Sequence, residues 1–272
     1  MAVKVLGLAA SARRGGNTET LLDWCLSGAK AEGAVVVKTA LSDLELHGCR
    51  ACDACRNTGE CIQRDDMDIL YPQLREVDSI VLATPVYFLG IPAVPKMVID
   101  RCQPLWVRKY VMGETLAGPE RPERRGAYLS CAGSLYSHVF EGSQRVVRAL
   151  WNTLDITPVG EVLCPGVDGK GQIMDQSGAR VAAEQIGRQL GQERSPQERK
   201  VEVEKTVKTC INCGKPLVDR VEEEERTGMG VSRSTGECDT YRVWFCANSD
   251  CPMYRTDIYR ESMADRTDRA GR

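Results

Sequence analysis

Two rhythms of hydrophobic and polar positions alternate along the first two-thirds of the chain. Short apolar runs at Val3–Ala9, Ala34–Leu41, Asp78–Thr84, Gly126–Cys131 and Ile156–Leu163 read as buried strands. Between them lie segments with helical spacing. In Asn17–Glu32 the apolar positions are Leu21, Leu22, Trp24, Cys25, Leu26 and Ala29, with Thr18 and Glu19 in the first turn. Met67–Glu76, Ala93–Cys102, Val139–Leu154 and Gln176–Leu190 follow the same rhythm. Five strands alternating with five helices predict an α/β fold built on a doubly wound, five-stranded parallel sheet. Such sheets hold ligands at the carboxyl ends of their strands. The loops after Ala9, Thr84 and Cys131 are therefore the first places to look for chemistry.

The pattern changes near residue 192. Of the 80 residues 193–272, 31 are charged, against 43 of the 192 before them. Residues 1–192 read as one core-rich domain and 193–208 as a polar linker with a strand start at Val201 and Val203. Residues 209–256 read as a small second domain, and 257–272 as a tail that begins as a short helix. The whole chain of 272 residues is 42% hydrophobic, enough for a sizeable core, and 36 basic against 38 acidic residues leave a net charge of −2. That balance gives no pull toward nucleic acid or an anionic membrane. The longest stretch free of charge, Ser79–Pro95, is broken by Pro85, Pro92 and Pro95 and is too short for a membrane span. The apolar run Val5–Ala10 is too short for a secretory signal, so a cytoplasmic location is expected. In that setting 13 cysteines point to metal or redox chemistry rather than a disulfide framework.

After the first strand, Ser11-Ala12-Arg13-Arg14-Gly15-Gly16-Asn17-Thr18 runs into a helix. A glycine-containing turn at a helix N-terminus offers free N–H groups and a favourable dipole to a phosphate. Ser11, Asn17 and Thr18 can donate hydrogen bonds and Arg13 adds charge; taken alone, the loop reads equally as a capped helix start with two solvated arginines. It matches neither G-x-G-x-x-G nor the P-loop pattern. After the third strand, Pro85-Val86-Tyr87-Phe88 places two adjacent rings in a proline-bounded loop, an edge for a flat aromatic ligand or simply a packed loop. Gly133, between Ala132 and Ser134, lies in the third loop. No side chain stands out as a catalytic acid, base or nucleophile.

Taken together, Ser11-x-Arg13-x-x-Gly16-Asn17-Thr18, Asp65-Asp66-Met67, Ala83-Thr84-Pro85-Val86-Tyr87-Phe88, Lys96 and Ile99-Asp100-Arg101 resemble the flavodoxin-like NADPH-dependent FMN reductase family over roughly residues 1–190. The resemblance implies that Ser11, Arg13, Asn17 and Thr18 hold the phosphate of FMN. It also implies that Pro85, Val86, Tyr87 and Phe88 line the flavin ring, with Gly133 completing the pocket. Ala12 departs from the proline that many relatives carry after the serine.

Cys49, Cys52, Cys55 and Cys61, within residues 47–62, have the spacing C-x2-C-x2-C-x5-C. Three thiolates at such short intervals suit three corners of an iron–sulfur cubane, with the fourth after a glycine turn. Zinc also takes four thiolates, typically as two separated pairs, so the compact triplet favours a 4Fe-4S cluster over zinc or uncoordinated thiols. His47 reads as a surface histidine. This motif inside an FMN-reductase-like chain resembles the iron–sulfur flavoproteins of anaerobic microbes, which implies FMN and one 4Fe-4S cluster per subunit. Cys25, Cys102, Cys131 and Cys164 stand singly in apolar segments and read as buried structural thiols.

In the second domain, Cys210 and Cys213 form one thiolate knuckle and Cys246 and Cys251 another, resembling the zinc ribbons appended to bacterial topoisomerases. Paired thiolates around an insert suit one tetrahedral Zn2+; a rubredoxin-like iron is the alternative, and Cys238 competes for the second knuckle. The acidic run Glu222–Glu225 reads as a solvated turn.

Three functions are open on this sequence. The first is an electron-transfer flavoprotein coupling one-electron, ferredoxin-like carriers to two-electron donors or acceptors. The second is an NAD(P)H-dependent FMN or quinone reductase with a structural cysteine cluster. The third is a redox-sensing interaction protein. A homodimer or homotetramer is expected, with no nucleic-acid or membrane partner.

Overall fold

The computed structural model describes residues 2–114, 116 and 124–193, together with the backbone of 218–227, 234–245 and 257–262. Five strands, β1 (Lys4–Ala9), β2 (Val35–Ala40), β3 (Ser79–Pro85), β4 (Arg124–Ala132) and β5 (Ile156–Pro165), form one sheet in the order β2-β1-β3-β4-β5. Every pairing is parallel. The helices are α1 (Asn17–Ala31), α2 (Cys55–Thr58), α3 (Met67–Glu76), α4 (Ala93–Asp100), α5 (Gln103–Tyr110), α6 (Glu141–Thr153) and α7 (Ser177–Gly191). The expected doubly wound sheet is present.

Successive strand residues point to opposite faces, and both faces are apolar here. Leu6, Leu8, Ile80, Leu82, Tyr128 and Leu163 pack toward α3, α5 and α6. Val5, Ala9, Val81, Ala83, Leu129 and Val162 pack toward α1 and α7. That two-sided burial is why β1, β3 and β4 read as continuous apolar runs, whereas β2, at the sheet edge, is largely exposed. On the second face the two helices approach backbone to backbone. A Cβ on Gly187 would stand 1.8 Å from the Cys25 carbonyl oxygen, and one on Gly28 would stand 2.1 Å from that of Glu184. Cys25, Cys102, Cys131 and Cys164 are buried, as the pattern implied. Burial pushes the thiols of Cys25 and Cys102 up to about 12, so they stay protonated and inert.

Some boundaries differ from the sequence reading. The helix expected to reach Cys102 ends at Asp100, and α5 begins at Gln103 with Pro104 in its first turn. Proline is tolerated there because the first helical amides have no intrahelical acceptor. The second segment contains an antiparallel sheet, β6 (Val218–Thr227), β7 (Ser234–Phe245) and β8 (Asp257–Ser262), in that order. Glu222–Glu225 therefore lies in β6, opposite Cys238–Tyr241, rather than in a turn. Backbone pairing with β7 fixes the conformation. Likewise the helix expected after Arg255 is a strand, β8, paired with Tyr241–Phe245. Six residues are too few to sustain an isolated helix, whereas a neighbouring strand edge supplies partners. Cys210, Cys213, Cys246 and Cys251 lie outside the described residues. Among the described residues no helix is long and apolar enough to cross a membrane.

Candidate functional site

The loop after β1 is fastened to its neighbour by Ala10 N–H donating to the Ala83 carbonyl at 2.8 Å. Gly15 takes a left-handed φ of +61°, and Gly16 begins α1 without any side-chain cap. The first intrahelical bond is Thr20 N–H to the Gly16 carbonyl, so the amides of Asn17, Thr18 and Glu19 have no acceptor within the helix. Ser11 Oγ accepts from Arg13 N–H at 3.1 Å, which leaves its own proton for a ligand. Arg13 Nη1 reaches the Asp168 carbonyl at 3.0 Å.

An acidic residue in this turn would repel a phosphate unless neutralised. Glu19 accepts from Gly15 N–H at 2.6 Å and stands 2.8 Å from Lys38 Nζ and 3.5 Å from Arg14. Burial alone would raise its carboxyl, but the bonds from Lys38 and Gly15 and the Arg14 charge hold it below its ordinary value. The Glu19 carboxylate is therefore neutralised beside the helix amides, Ser11, Thr18 and Arg13. The donor set fits a phosphate monoester.

Asn17 is placed differently from the sequence expectation. Its Nδ2 donates to the Gly169 carbonyl at 2.8 Å, and its Oδ1 accepts from Gly171 at 2.9 Å and Ile173 at 3.3 Å. The side chain thus fixes the loop after β5, and its backbone N–H remains at the helix start. That loop does not stand out in the sequence reading. Its signal is the glycine-rich run Gly166-Val167-Asp168-Gly169-Lys170-Gly171. Lys170 Nζ donates to the Arg14 carbonyl at 3.2 Å, adding a third cation to the rim. A Cβ on Gly133 would stand 3.1 Å from the Asp168 side chain, so Gly133 makes room for this same loop.

After β3, Val86 N–H donates to the Cys131 carbonyl at 3.1 Å, and Ser130 Oγ donates to that of Thr84 at 2.7 Å. Tyr87 and Gly90 exchange N–H···O bonds of 3.1 and 3.0 Å around a tight turn. Its two central residues, Phe88 (φ +48°) and Leu89 (φ +61°), are left-handed without being glycine, each at a cost of roughly 1–2 kcal/mol. The turn persists because α6 backs it. A Cβ on Gly142 would stand 2.2 Å from the Leu89 carbonyl oxygen. Tyr87 is half exposed and Phe88 fully exposed, so neither ring is a core anchor. Aromatic surface held out at a backbone cost is the mark of a ligand or partner edge.

The cysteine loop leaves the sheet after β2. Ala51 (φ +50°) and Asp53 (φ +56°) are left-handed on either side of Cys52. Such alternation turns successive amides toward one concavity, the backbone arrangement that many phosphate and iron–sulfur sites use. Cys55 opens α2, which ends at the left-handed Gly59. Arg108 of α5 braces this end, donating from Nε to the Gly59 carbonyl at 2.9 Å. Cys49 and Cys52 are exposed, and Cys55 and Cys61 half-buried. Burial, and after it the charges of Cys61, Cys49 and Cys52, pushes the Cys55 thiol above its ordinary value. Among the described residues, however, no three His, Cys, Asp or Glu side chains stand as a set for a single metal ion. A cubane spreads its four thiolates more widely than one ion does, and the concave amides suit its negative charge.

Both ends of this loop meet one buried ion pair. Arg101, 1% exposed, grips Asp65 bidentately at 2.6 and 3.1 Å. Asp65 also accepts from the amides of His47 at 2.8 Å and Met67 at 3.1 Å. Burial would raise the Asp65 carboxyl, but Arg101 and these amides hold it below its ordinary value. The His47 ring is exposed at the surface, 3.4 Å from Asp65.

A parallel sheet of order 2-1-3-4-5, with a donor-rich turn after its first strand and an aromatic turn after its third, is a flavodoxin-like fold. A family model, NADPH-dependent FMN reductase, matches residues 3–160. The chain is 30% identical over 221 residues to an iron-sulfur flavoprotein of Archaeoglobus fulgidus, covering 77% of this chain and 91% of that one. It is 33% identical over 154 residues to an iron-sulfur flavoprotein of Methanosarcina thermophila, covering 57% and 74%. A solved flavone reductase shares the fold at a TM-score of 0.54 and 20% identity, over 87% of this chain and 80% of that one. The chain belongs to the NADPH-dependent FMN reductase family and, within it, to the iron-sulfur flavoproteins.

Proposed function

We propose that the protein is an electron-transfer flavoprotein that carries FMN and one 4Fe-4S cluster and couples one-electron, ferredoxin-like carriers to two-electron donors or acceptors. The observation that carries this reading is the cysteine loop. Four cysteines at compact spacing stand on one segment with left-handed Ala51 and Asp53, whose ends are fastened by a buried Arg101–Asp65 pair. A merely structural loop has no need of exposed, left-handed backbone around exposed cysteines.

When bound, FMN exchanges one or two electrons and the cluster one, so together they match carriers of unequal electron number. The protein's share is placement. Ser11, Arg13, Thr18 and the first amides of α1 hold the phosphate. Asn17 and Gly133 position the loop after β5 around it. Pro85, Val86, Tyr87 and Phe88 border the ring. Cys49, Cys52, Cys55 and Cys61 hold the cluster. Exposed Phe88, Leu89, Leu135 and Tyr136 support a homodimer or homotetramer in which a neighbour covers this edge. In the C-terminal segment, Cys210, Cys213, Cys246 and Cys251 are proposed to hold one structural Zn2+, which zinc analysis of a Cys213→Ser variant would test.

The family's nicotinamide dependence favours a second reading, an NAD(P)H-dependent FMN or quinone reductase. Steady-state NAD(P)H oxidation by iron-free, FMN-loaded protein separates the two. Electron-transfer function predicts slow turnover until the cluster is rebuilt. Full turnover without iron would overturn it.

A further inference from the structure

The Arg101–Asp65 pair is the best-buried ion pair near the cysteine loop. Both side chains are 1% exposed. The guanidinium does more than neutralise a carboxylate. Its Nη1 donates to the His47 carbonyl at 2.9 Å, and Nη2 approaches the Gln63 carbonyl at 3.5 Å. His47 stands two residues before Cys49, and Gln63 two residues after Cys61. One side chain therefore fastens the entry and the exit of the loop. Arg101 is itself held, its N–H donating to the Met97 carbonyl at 2.9 Å and its carbonyl accepting from Tyr71 Oη at 2.7 Å.

One donor is left over. Arg101 Nε is buried and, among the described residues, has no acceptor. A buried unpaired donor is costly and uncommon. Buried Arg124, by contrast, places its Nε on the Val77 carbonyl at 3.2 Å. Cys61 stands two residues before Gln63, whose carbonyl the same guanidinium approaches, so the unpartnered Nε sits at the base of the cysteine loop. Groups outside the ligand set that orient and hydrogen-bond ligands commonly tune the metal.

We propose that Arg101 is a positioning residue for the iron–sulfur cluster, its two Nη groups holding the ends of the cysteine loop and its Nε–H donating to a cluster or cysteine sulfur. This rests on the reading that Cys49, Cys52, Cys55 and Cys61 carry a cluster. An N–H donor and a fixed positive charge at the sulfurs favour the more negative, reduced state. Arg101 thereby raises the cluster potential as well as retaining the iron. Lysine keeps the charge but supplies neither the fork nor the Nε–H.

The test uses full-length protein, wild type and Arg101→Lys, purified and reconstituted anaerobically, each also grown with 15N-arginine. FMN content reports folding. Chelator-driven iron loss, an EPR-monitored redox titration and hyperfine spectroscopy of the reduced cluster report the role. The expected result is a wild-type cluster coupled to an arginine 15N nucleus. In Arg101→Lys that coupling vanishes, the potential becomes more negative, and iron is held roughly 10-fold less tightly or worse. A wild-type cluster without arginine coupling, together with unchanged iron retention and potential in Arg101→Lys, overturns the proposal alone. Wild-type protein that assembles no cluster overturns the underlying reading and this proposal with it. Because Arg50 and Arg56 also carry the label, the assignment rests on the difference between wild type and variant; if Arg101→Lys retains no FMN, Arg101→Gln takes its place in the same comparison.

Discussion

The anion loop after β1 and the cysteine loop after β2 are solved by opposite means. In the first, the protein satisfies its own groups. Asn17 makes three hydrogen bonds to the loop after β5, Glu19 takes the Gly15 amide, and Lys38 and Arg14 neutralise Glu19. What remains free is a small set of donors at one helix start. In the second, the protein satisfies the ends and leaves the middle. Arg101 and Asp65 are buried at the base, while Cys49 and Cys52 are exposed, Cys52 between left-handed Ala51 and Asp53. The lesson is that the donor set after β1 is preorganised, whereas on the proposed function the cysteine loop is completed by its cluster. On that reading, metal binding there would contribute folding energy that the polypeptide lacks.

That contrast can be broken most sharply at Cys52. Cys52→Ala is expected to abolish the EPR signal of the reduced cluster and leave FMN bound at wild-type stoichiometry. In the wild type, iron removal should open residues 48–62 to protease while the rest resists. Simultaneous loss of FMN would show that the two sites are not independent. The flavin side is tested by the double variant Arg13→Ala, Thr18→Ala. Removing each charge-assisted hydrogen bond to the phosphate should weaken FMN binding by roughly 1.5–3 kcal/mol, read by fluorescence titration. Riboflavin, which has no phosphate, should be indifferent to the same change. Equal FMN affinity in the variant would remove the phosphate assignment.

A subtler difference concerns acid. Asp65 is depressed below its ordinary value of 3.8. The stability it contributes is therefore complete above that value and is lost as pH falls through its lower folded value. Asp65→Asn should flatten the acid limb of an unfolding curve followed by tryptophan fluorescence. A variant as acid-sensitive as the wild type would mean that other carboxylates dominate. The smallest effect is expected at Phe88. Phe88→Gly relieves a left-handed φ and should stabilise the flavin-free protein by about 1 kcal/mol in a denaturant melt. A destabilised variant would show that the exposed ring has an unrecognised packing role.

Much of this is legible in the residues. Runs such as Asp78–Thr84 are apolar on both faces because helices cover both, and so the sheet announces itself. The cysteine loop is legible because thiolate spacing is a local property. What escapes is long-range. Nothing local links Arg101 to His47 and Gln63, or Asn17 to Gly169 and Gly171, since those bonds depend on how distant loops come together at one end of the sheet. The phosphate role expected of the Asn17 side chain and its observed grip on the β5 loop use the same amide, and sequence alone does not choose between them. Glu222–Glu225 and Asp257–Ser262 depart from expectation for a related reason. Their conformation follows from backbone pairing with β7, which charge patterning does not reveal.

The central claim is that one chain carries one flavin in a preformed pocket and one cluster on a loop that metal completes. Anaerobic purification followed by FMN, iron and sulfide analysis of the full-length Cys213→Ser protein tests it most directly, because that variant takes the metal proposed for the C-terminal segment out of the count. The account predicts one FMN, four irons and four sulfides per chain, with a broad iron–sulfur absorbance beneath the flavin bands. Fewer than two irons per chain after reconstitution, with FMN fully bound, would contradict it.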